Sequence, residues 1–381
     1  MERFVVTLLR GPWVSARGTL NNEPTPALGL AYLAGSLTHA GFDVRGLDAT
    51  AEAMDRIEPI PGTHLQYNGI GIDEIIGRID PRTRVIGVSA MFSHEWTFYR
   101  EIITRVKRAL PGAVIIAGGE HSTALPEFIL RDCPALDYCG LGEGEELMVE
   151  FCSRIANGRS PSDVAGVAFL QDGQFVQTAA RSRIKNIDDI PWPDWKVLPI
   201  EPYLSRSMSF GASFGRNMPI MASRGCPYQC TFCSNPAMWT TRYNIRSPQS
   251  VIDEITFYKD TYGITGLQFY DLTAIVKKQW TVEFCNRMLD NSVDLDWSLP
   301  SGTRSEALDE ESLELLAKSR CRYLVYAPES GSPETLRLIK KKIRLDRMKT
   351  SIRTAIKNGI VVRTNFIIGF PHERRDRKSV V

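Results

Sequence analysis

Short β-branched runs alternate with longer amphipathic segments along nearly the whole of this 381-residue chain, and no other feature restricts its fold as strongly. Parallel strands need a crossover between them, and a helix that buries one face on the sheet supplies it. The chain should therefore build right-handed βαβ units and parallel sheets. In the N-terminal half the pattern predicts strands over 4–9, 43–48, 85–90, 113–117 and 137–140. Helices are expected over 27–40, 73–78, 95–110, 125–131 and 143–157. The expectation there is α/β, a doubly wound parallel sheet. The pattern resumes with strands over 218–222, 266–270, 296–299, 323–327 and 361–368, separated by helices over 250–262, 277–289, 309–318 and 345–358. Repetition of that kind fits a barrel or partial barrel.

Two such patterns in a chain of this length imply two domains. Between them, residues 164–178 read as a β-hairpin turning at Asp172-Gly173. Residues 190–203 hold four prolines, which forbid a regular ladder, and Trp192 and Trp195, which are too apolar for a free linker. This segment reads as an ordered strap packed across the domain junction. The expected boundaries are 1–150, a connector over 151–215, and 216–381. A formal net charge of +2 points to neither a nucleic-acid groove nor an anionic membrane. No apolar stretch has the length of a membrane span, and the N-terminus reads as a strand, not a signal peptide. Eight cysteines without such a signal argue for a reducing cytoplasm and against a disulfide framework.

Three of those cysteines crowd into Ser223-Arg-Gly-Cys226-Pro-Tyr-Gln-Cys230-Thr-Phe-Cys233. Three thiolates on one loop can hold an iron–sulfur cluster by three corners and leave the fourth iron open. A zinc site wants a fourth protein ligand, and His and Cys are absent from 234–284.

Ligands of parallel sheets and barrels gather beyond the carboxyl ends of the strands. In the first half that rule marks Ser89, Gly118-Gly119-Glu120-His121-Ser122-Thr123, and Gly140-Leu141-Gly142-Glu143-Gly144-Glu145. The last run is no dinucleotide fingerprint, which belongs on the first βα turn and wants a glycine where Glu145 stands. In the second half it marks Tyr270-Asp271, Ser301-Gly302-Thr303-Arg304, Glu329-Ser330-Gly331 and Gly369. A capping or surface role accounts for any one of these alone. Four successive strand ends on one rim read as a site.

The spacing Cys-x3-Cys-x2-Cys, with Phe232 before the last cysteine, resembles the signature of the radical S-adenosylmethionine (SAM) enzymes. The segments 26–35, 86–89, 118–123 and 140–145 together look like the cobalamin-binding domain found ahead of many radical SAM domains, over about residues 1–150. The resemblance implies a Rossmann-like cobalamin module followed by a partial (β/α)6 radical SAM barrel. It implies that Cys226, Cys230 and Cys233 ligate a [4Fe-4S] cluster whose open iron takes SAM. By position, Phe232, Asp271, Arg304, Glu329 and Ile368 would contact SAM: Asp271 at its ammonium, Arg304 at its carboxylate, Glu329 at its ribose and the strand around Ile368 at its adenine. Asp271 stands where many relatives carry Gly-Gly-Glu. Ser89, Gly118, Gly119, His121, Thr123 and Gly142 would contact cobalamin. No Asp-x-His-x-x-Gly motif is present, since His39-Ala40-Gly41 lacks the aspartate and the spacing, so no protein histidine is expected beneath the cobalt.

The implied activity is methyl transfer from cobalamin to an unactivated carbon of a small-molecule substrate, initiated by the 5′-deoxyadenosyl radical and fed by a flavodoxin- or ferredoxin-type electron donor. Two alternatives stay open: a cobalamin-dependent ring closure or oxidative rearrangement, and a cofactor-binding protein without turnover. The latter follows from the end of the chain, where 366–371 is followed only by a basic run to Val381. The family barrel usually has a sixth strand, so this one is expected to be C-terminally incomplete. No substrate is legible.

Overall fold

The computed structural model describes residues 4–18, 24–303 and 308–373. The chain divides into two compact units, 1–185 with 189–203, and 186–188 with 204–381.

In the first unit, strands β1 (Val5–Arg10), β2 (Asp43–Asp48), β3 (Thr83–Ser89), β4 (Val114–Gly118) and β5 (Tyr138–Gly140) lie parallel in the order β2-β1-β3-β4-β5. Hairpin strands β6 (Val167–Gln171) and β7 (Gln174–Gln177) extend the sheet antiparallel beyond β5. The helices are α1 (Leu28–His39), α2 (Ile72–Arg78), α3 (Trp96–Ala109), α4 (Glu120–Ala124), α5 (Pro126–Asp132) and α6 (Glu145–Ala156). Val5, Val6, Leu8, Leu9, Val85, Ile86 and Val88 are all buried, as central parallel strands covered on both faces require. The strand order reverses between β1 and β3, and the crevice beyond their carboxyl ends is where such sheets bind ligands.

The proline- and tryptophan-rich strap belongs to this unit. Asp194 N–H donates to the Ala31 carbonyl of α1. Two glycines clear its path: a Cβ on Gly35 would meet the Trp192 carbonyl oxygen at 2.1 Å, and one on Gly46 the Val197 carbonyl oxygen at 2.4 Å. A feature absent from the sequence reading is a three-stranded antiparallel sheet of Trp13–Ala16, Leu65–Asn68 and Ile57–Pro59. Its strands are short, and Ile57–Pro59 is exposed throughout, so no alternation marks them.

The second unit holds β8 (Asn217–Ile220), β9 (Gly266–Phe269), β10 (Asp296–Thr303), β11 (Cys321–Glu329) and β12 (Val361–Phe366), parallel and in sequence order. Five parallel strands with no reversal make a barrel wall. Helices α7 (Pro248–Tyr262), α8 (Lys278–Asp290), α9 (Glu310–Lys318), α10 (Pro333–Leu338) and α11 (Leu345–Lys357) connect them. Helix α7 begins where Ser247 and Pro248 predict: Ser247 Oγ accepts from Ser250 N–H, and Gly263 ends the helix at φ 58°. Phe269, Phe284 and Trp297 meet edge to face with centroids 5.4–5.6 Å apart, and Trp280 stacks on Phe284, anchoring α8 to β9 and β10.

Candidate active site

Strand β8 delivers the chain to the carboxyl end of the second sheet. There Ser223–Arg224 pairs with Asn244–Ile245 and closes the neck of the cysteine loop. Gly225 opens the loop at φ 85°, a left-handed conformation that favours glycine. Asn235 Nδ2 donates to the Cys226 carbonyl at 3.1 Å and the Thr240 carbonyl at 3.2 Å, tying the two arms together. Cys233 N–H donates to the Cys230 carbonyl, and Thr231 N–H reaches out to the Ile339 carbonyl.

Cys226 and Cys230 are half-buried and Cys233 is exposed, whereas Cys133, Cys139, Cys152, Cys285 and Cys321 are buried. Burial pushes the Cys152 and Cys285 thiols up to about 12 and about 11, so they resist the ionisation that ligation needs. Only the loop trio stands outside the core. Among the described residues, no three His, Cys, Asp or Glu side chains converge closely enough to hold a metal ion, the trio included. Metal binding itself supplies such convergence, because thiolates have no reason to approach one another without it. Three reachable thiols on one loop, followed by a stretch (234–284) without His or Cys, fit a cluster with one open iron.

Asp271, just past β9, turns its carboxylate onto the base of this loop. It accepts from Ala222 N–H at 3.1 Å and from the Ser223 hydroxyl. Burial raises its pKa to about 6, against the opposing pull of the Ser223 and Ala222 hydrogen bonds. The carboxylate expected at the SAM ammonium thus also braces the strand leading into Cys226. Glu329, at the end of β11, is buried and ion-paired with Lys341 at 3.0 Å. Phe232 lies 5.9 Å from the Phe370 ring, with Lys341 Nζ 6.0 Å above its own ring. Ile368 is 73% exposed. Arg304 lies outside the described residues. The sequence reading missed Lys341, and only its place in the run Lys340-Lys341-Lys342 marked it, which reads as a solvated charge run.

In the first unit the expected cobalamin residues all fall on the carboxyl rim. Ser89 ends β3, Gly118 ends β4, and Thr123 in α4 accepts from Gly142 N–H at 3.1 Å. Gly119 has φ 110°, and a Cβ there would press on the Ala90 carbonyl oxygen at 2.9 Å. His121 is 4% exposed, and its Nδ1 lies 2.9 Å from Ser93 Oγ. Burial lowers its pKa, which favours the neutral ring. Among the described residues, His121 Nε2 and Ser122 Oγ are buried without a hydrogen-bond partner. Orphaned polar atoms at a ligand-binding rim suit a cofactor rich in amide and hydroxyl groups. A cavity of about 1140 Å³ opens at the other end of the sheet, beside Phe4, Asp43, Thr83 and Ala113, away from these groups.

The B12 binding domain model matches residues 22–152, and the radical SAM superfamily model matches residues 220–380. Cytidylyl-2-hydroxyethylphosphonate methyltransferase of Streptomyces wedmorensis is 30% identical over 91% of this chain and 69% of its own length. The chain belongs to the radical SAM superfamily and carries a B12-binding domain. An uncharacterized methyltransferase of Pyrococcus horikoshii is 29% identical over 99% of this chain and 76% of its own length. The fold is that of the radical SAM methyltransferase TsrM from Kitasatospora setae, solved with cobalamin and a [4Fe-4S] cluster bound. Its TM-score is 0.73 at 20% identity, over 99% of this chain and 71% of that one. Membership makes the chain an enzyme of the cluster, SAM and cobalamin. No helix among the described residues is long and apolar enough to cross a membrane.

Proposed function

We propose that this radical SAM enzyme transfers a methyl group from cobalamin to an unactivated carbon of a small-molecule substrate. The observation that carries it is the set of three loop thiols outside the core, at the carboxyl end of β8, in a chain that also bears a cobalamin rim. Cys226, Cys230 and Cys233 would hold the cluster, and the cluster and cobalamin together supply one-electron cleavage of SAM and a transferable methyl group.

The chain's own residues bind and orient. Asn235 and Asp271 fix the two arms of the cysteine loop before any cofactor arrives. Glu329 and the backbone around Ile368 stand on the rim where the nucleoside of SAM would rest. His121 Nε2 and Ser122 Oγ would take hydrogen bonds from cobalamin, while Ser89, Gly118, Gly119 and Gly142 let its bulk approach the backbone. An electron donor of flavodoxin or ferredoxin type completes the scheme.

Anaerobically reconstituted protein, given reductant and SAM, should release 5′-deoxyadenosine. Cys226→Ala, Cys230→Ala and Cys233→Ala should each abolish that release. With substrate, label from methyl-labelled SAM should enter the product; a ring closure would leave the product unlabelled. Wild-type protein that binds iron and sulfide yet never cleaves SAM would sink the reading.

A further inference from the structure

Lys341 is turned inward while its neighbours Lys340 and Lys342 are exposed. Its ammonium lies 3.0 Å from Glu329 Oε1, and the two side chains are only 12% and 10% exposed. A pair this far from water is screened little by salt and by solvent, so its charges act on what lies next to them. What lies next to them is the cysteine loop. Lys341 Nζ sits 6.0 Å above the ring of Phe232, the residue before Cys233. The segment leading to Lys341 grips the same loop by its backbone. The Ile339 carbonyl accepts from Thr231 N–H at 3.1 Å, and the Lys340 carbonyl lies 4.0 Å from Cys230 Sγ.

The backbone at both ends of this arrangement is strained. Glu329 has φ 64° and Lys340 has φ 54°, left-handed values that residues with long side chains rarely adopt. Glu329 is not a glycine, so its side chain is kept despite that strain. At Glu329 the strained turn ends β11 and aims the carboxylate at Lys341, while its carbonyl accepts from Ile367 N–H and binds β12. Strand end, lysine and cysteine loop thus form one connected unit. The ammonium is the charge that stands over Phe232 of the loop.

We infer that Lys341, steered by Glu329, is a positioning residue that holds the cysteine loop and sets the reduction potential of the cluster bound there. The inference rests on the radical SAM reading of Cys226, Cys230 and Cys233 and goes beyond it. A cluster gains negative charge on reduction, so a nearby cation in a poorly solvated setting favours the reduced form, and an uncompensated buried carboxylate disfavours it.

The test uses the full chain, anaerobically reconstituted, without SAM. Iron and sulfide content is assayed first, and the cluster is then titrated with dithionite and followed by electron paramagnetic resonance. Lys341→Met should shift the midpoint to more negative potential, because it leaves Glu329 unpaired. Glu329→Gln should shift it the other way, and the double variant should return close to wild type. Lys341→Arg should stay near wild type, as should Lys342→Met, which removes the same charge from an exposed neighbour. Loss of the cluster from Lys341→Met but not from Lys341→Arg would also support the role of charge. Full clusters at one unchanged potential in Lys341→Met and Glu329→Gln would overturn the inference. Equal shifts in Lys341→Met and Lys342→Met, or loss of the cluster from Lys341→Met and Lys341→Arg alike, would overturn it too. A wild-type protein that takes up no cluster defeats the radical SAM reading itself, and the inference with it.

Discussion

Two buried carboxyls carry a measurable pH signature. Burial raises Asp271 to about 6 and Glu95 to about 7, although hydrogen bonds from Ser223 and Ala222 in one case, and from Val14 in the other, pull the opposite way. A carboxyl whose pKa is raised by folding binds its proton more tightly in the folded state. Its contribution to stability is therefore complete at pH below its unfolded value and is lost as pH rises through the folded one. Stability of the cofactor-free chain, followed by chemical denaturation, should fall as pH rises from about 4 to about 7. Asp271→Asn and Glu95→Gln should each flatten part of that slope. A slope unchanged in both variants would contradict the burial argument. None of this was visible in the sequence, where Asp271 carried only the expectation of a ligand contact. The spacing from Asp271 back to Ser223 is long, and only the parallel pairing of β8 with β9 brings the two together.

At the scale of elements, central strands such as β1 and β3 were legible because parallel strands buried on both faces leave unbroken apolar runs, and helices such as α3 keep a 3.6-residue period. The three-stranded sheet around Trp13–Ala16 and the six-residue α10 left no such trace, being too short and too exposed to show a period. Helix α1 permits a direct comparison of two glycines. Gly29 is exposed with nothing within 4 Å of a Cβ, so Gly29→Ala should stabilise the chain by up to about 1 kcal/mol. Gly35 faces the Trp192 carbonyl, so Gly35→Ala must push the strap away and should cost about 1–3 kcal/mol. Urea unfolding of the two variants measures both effects. Opposite signs are expected from the same chemical change in one helix.

Across the whole molecule, eight cysteines sort into two populations. Iodoacetamide should alkylate Cys226, Cys230 and Cys233 in the native, cofactor-free protein, and all eight only after denaturation, as peptide mass mapping would report. Rapid labelling of Cys139 or Cys321 in the native state would show the core to be other than described. The sequence by itself determined the strand–helix alternation, the three-thiol loop with no His or Cys following it through residue 284, and the glycines and polar residues at the strand ends. All of these are local, carried by neighbours along the chain whose spacing is set by covalent geometry and periodicity. Only the tertiary structure decided that the strap lies on α1, that Ser93 holds His121, that Asp271 braces the base of the cysteine loop, and that Lys341 meets Glu329 beside Phe232. Those contacts join residues from different strands and loops. Which charge meets which depends on strand order and on where the backbone turns, and no local period encodes either.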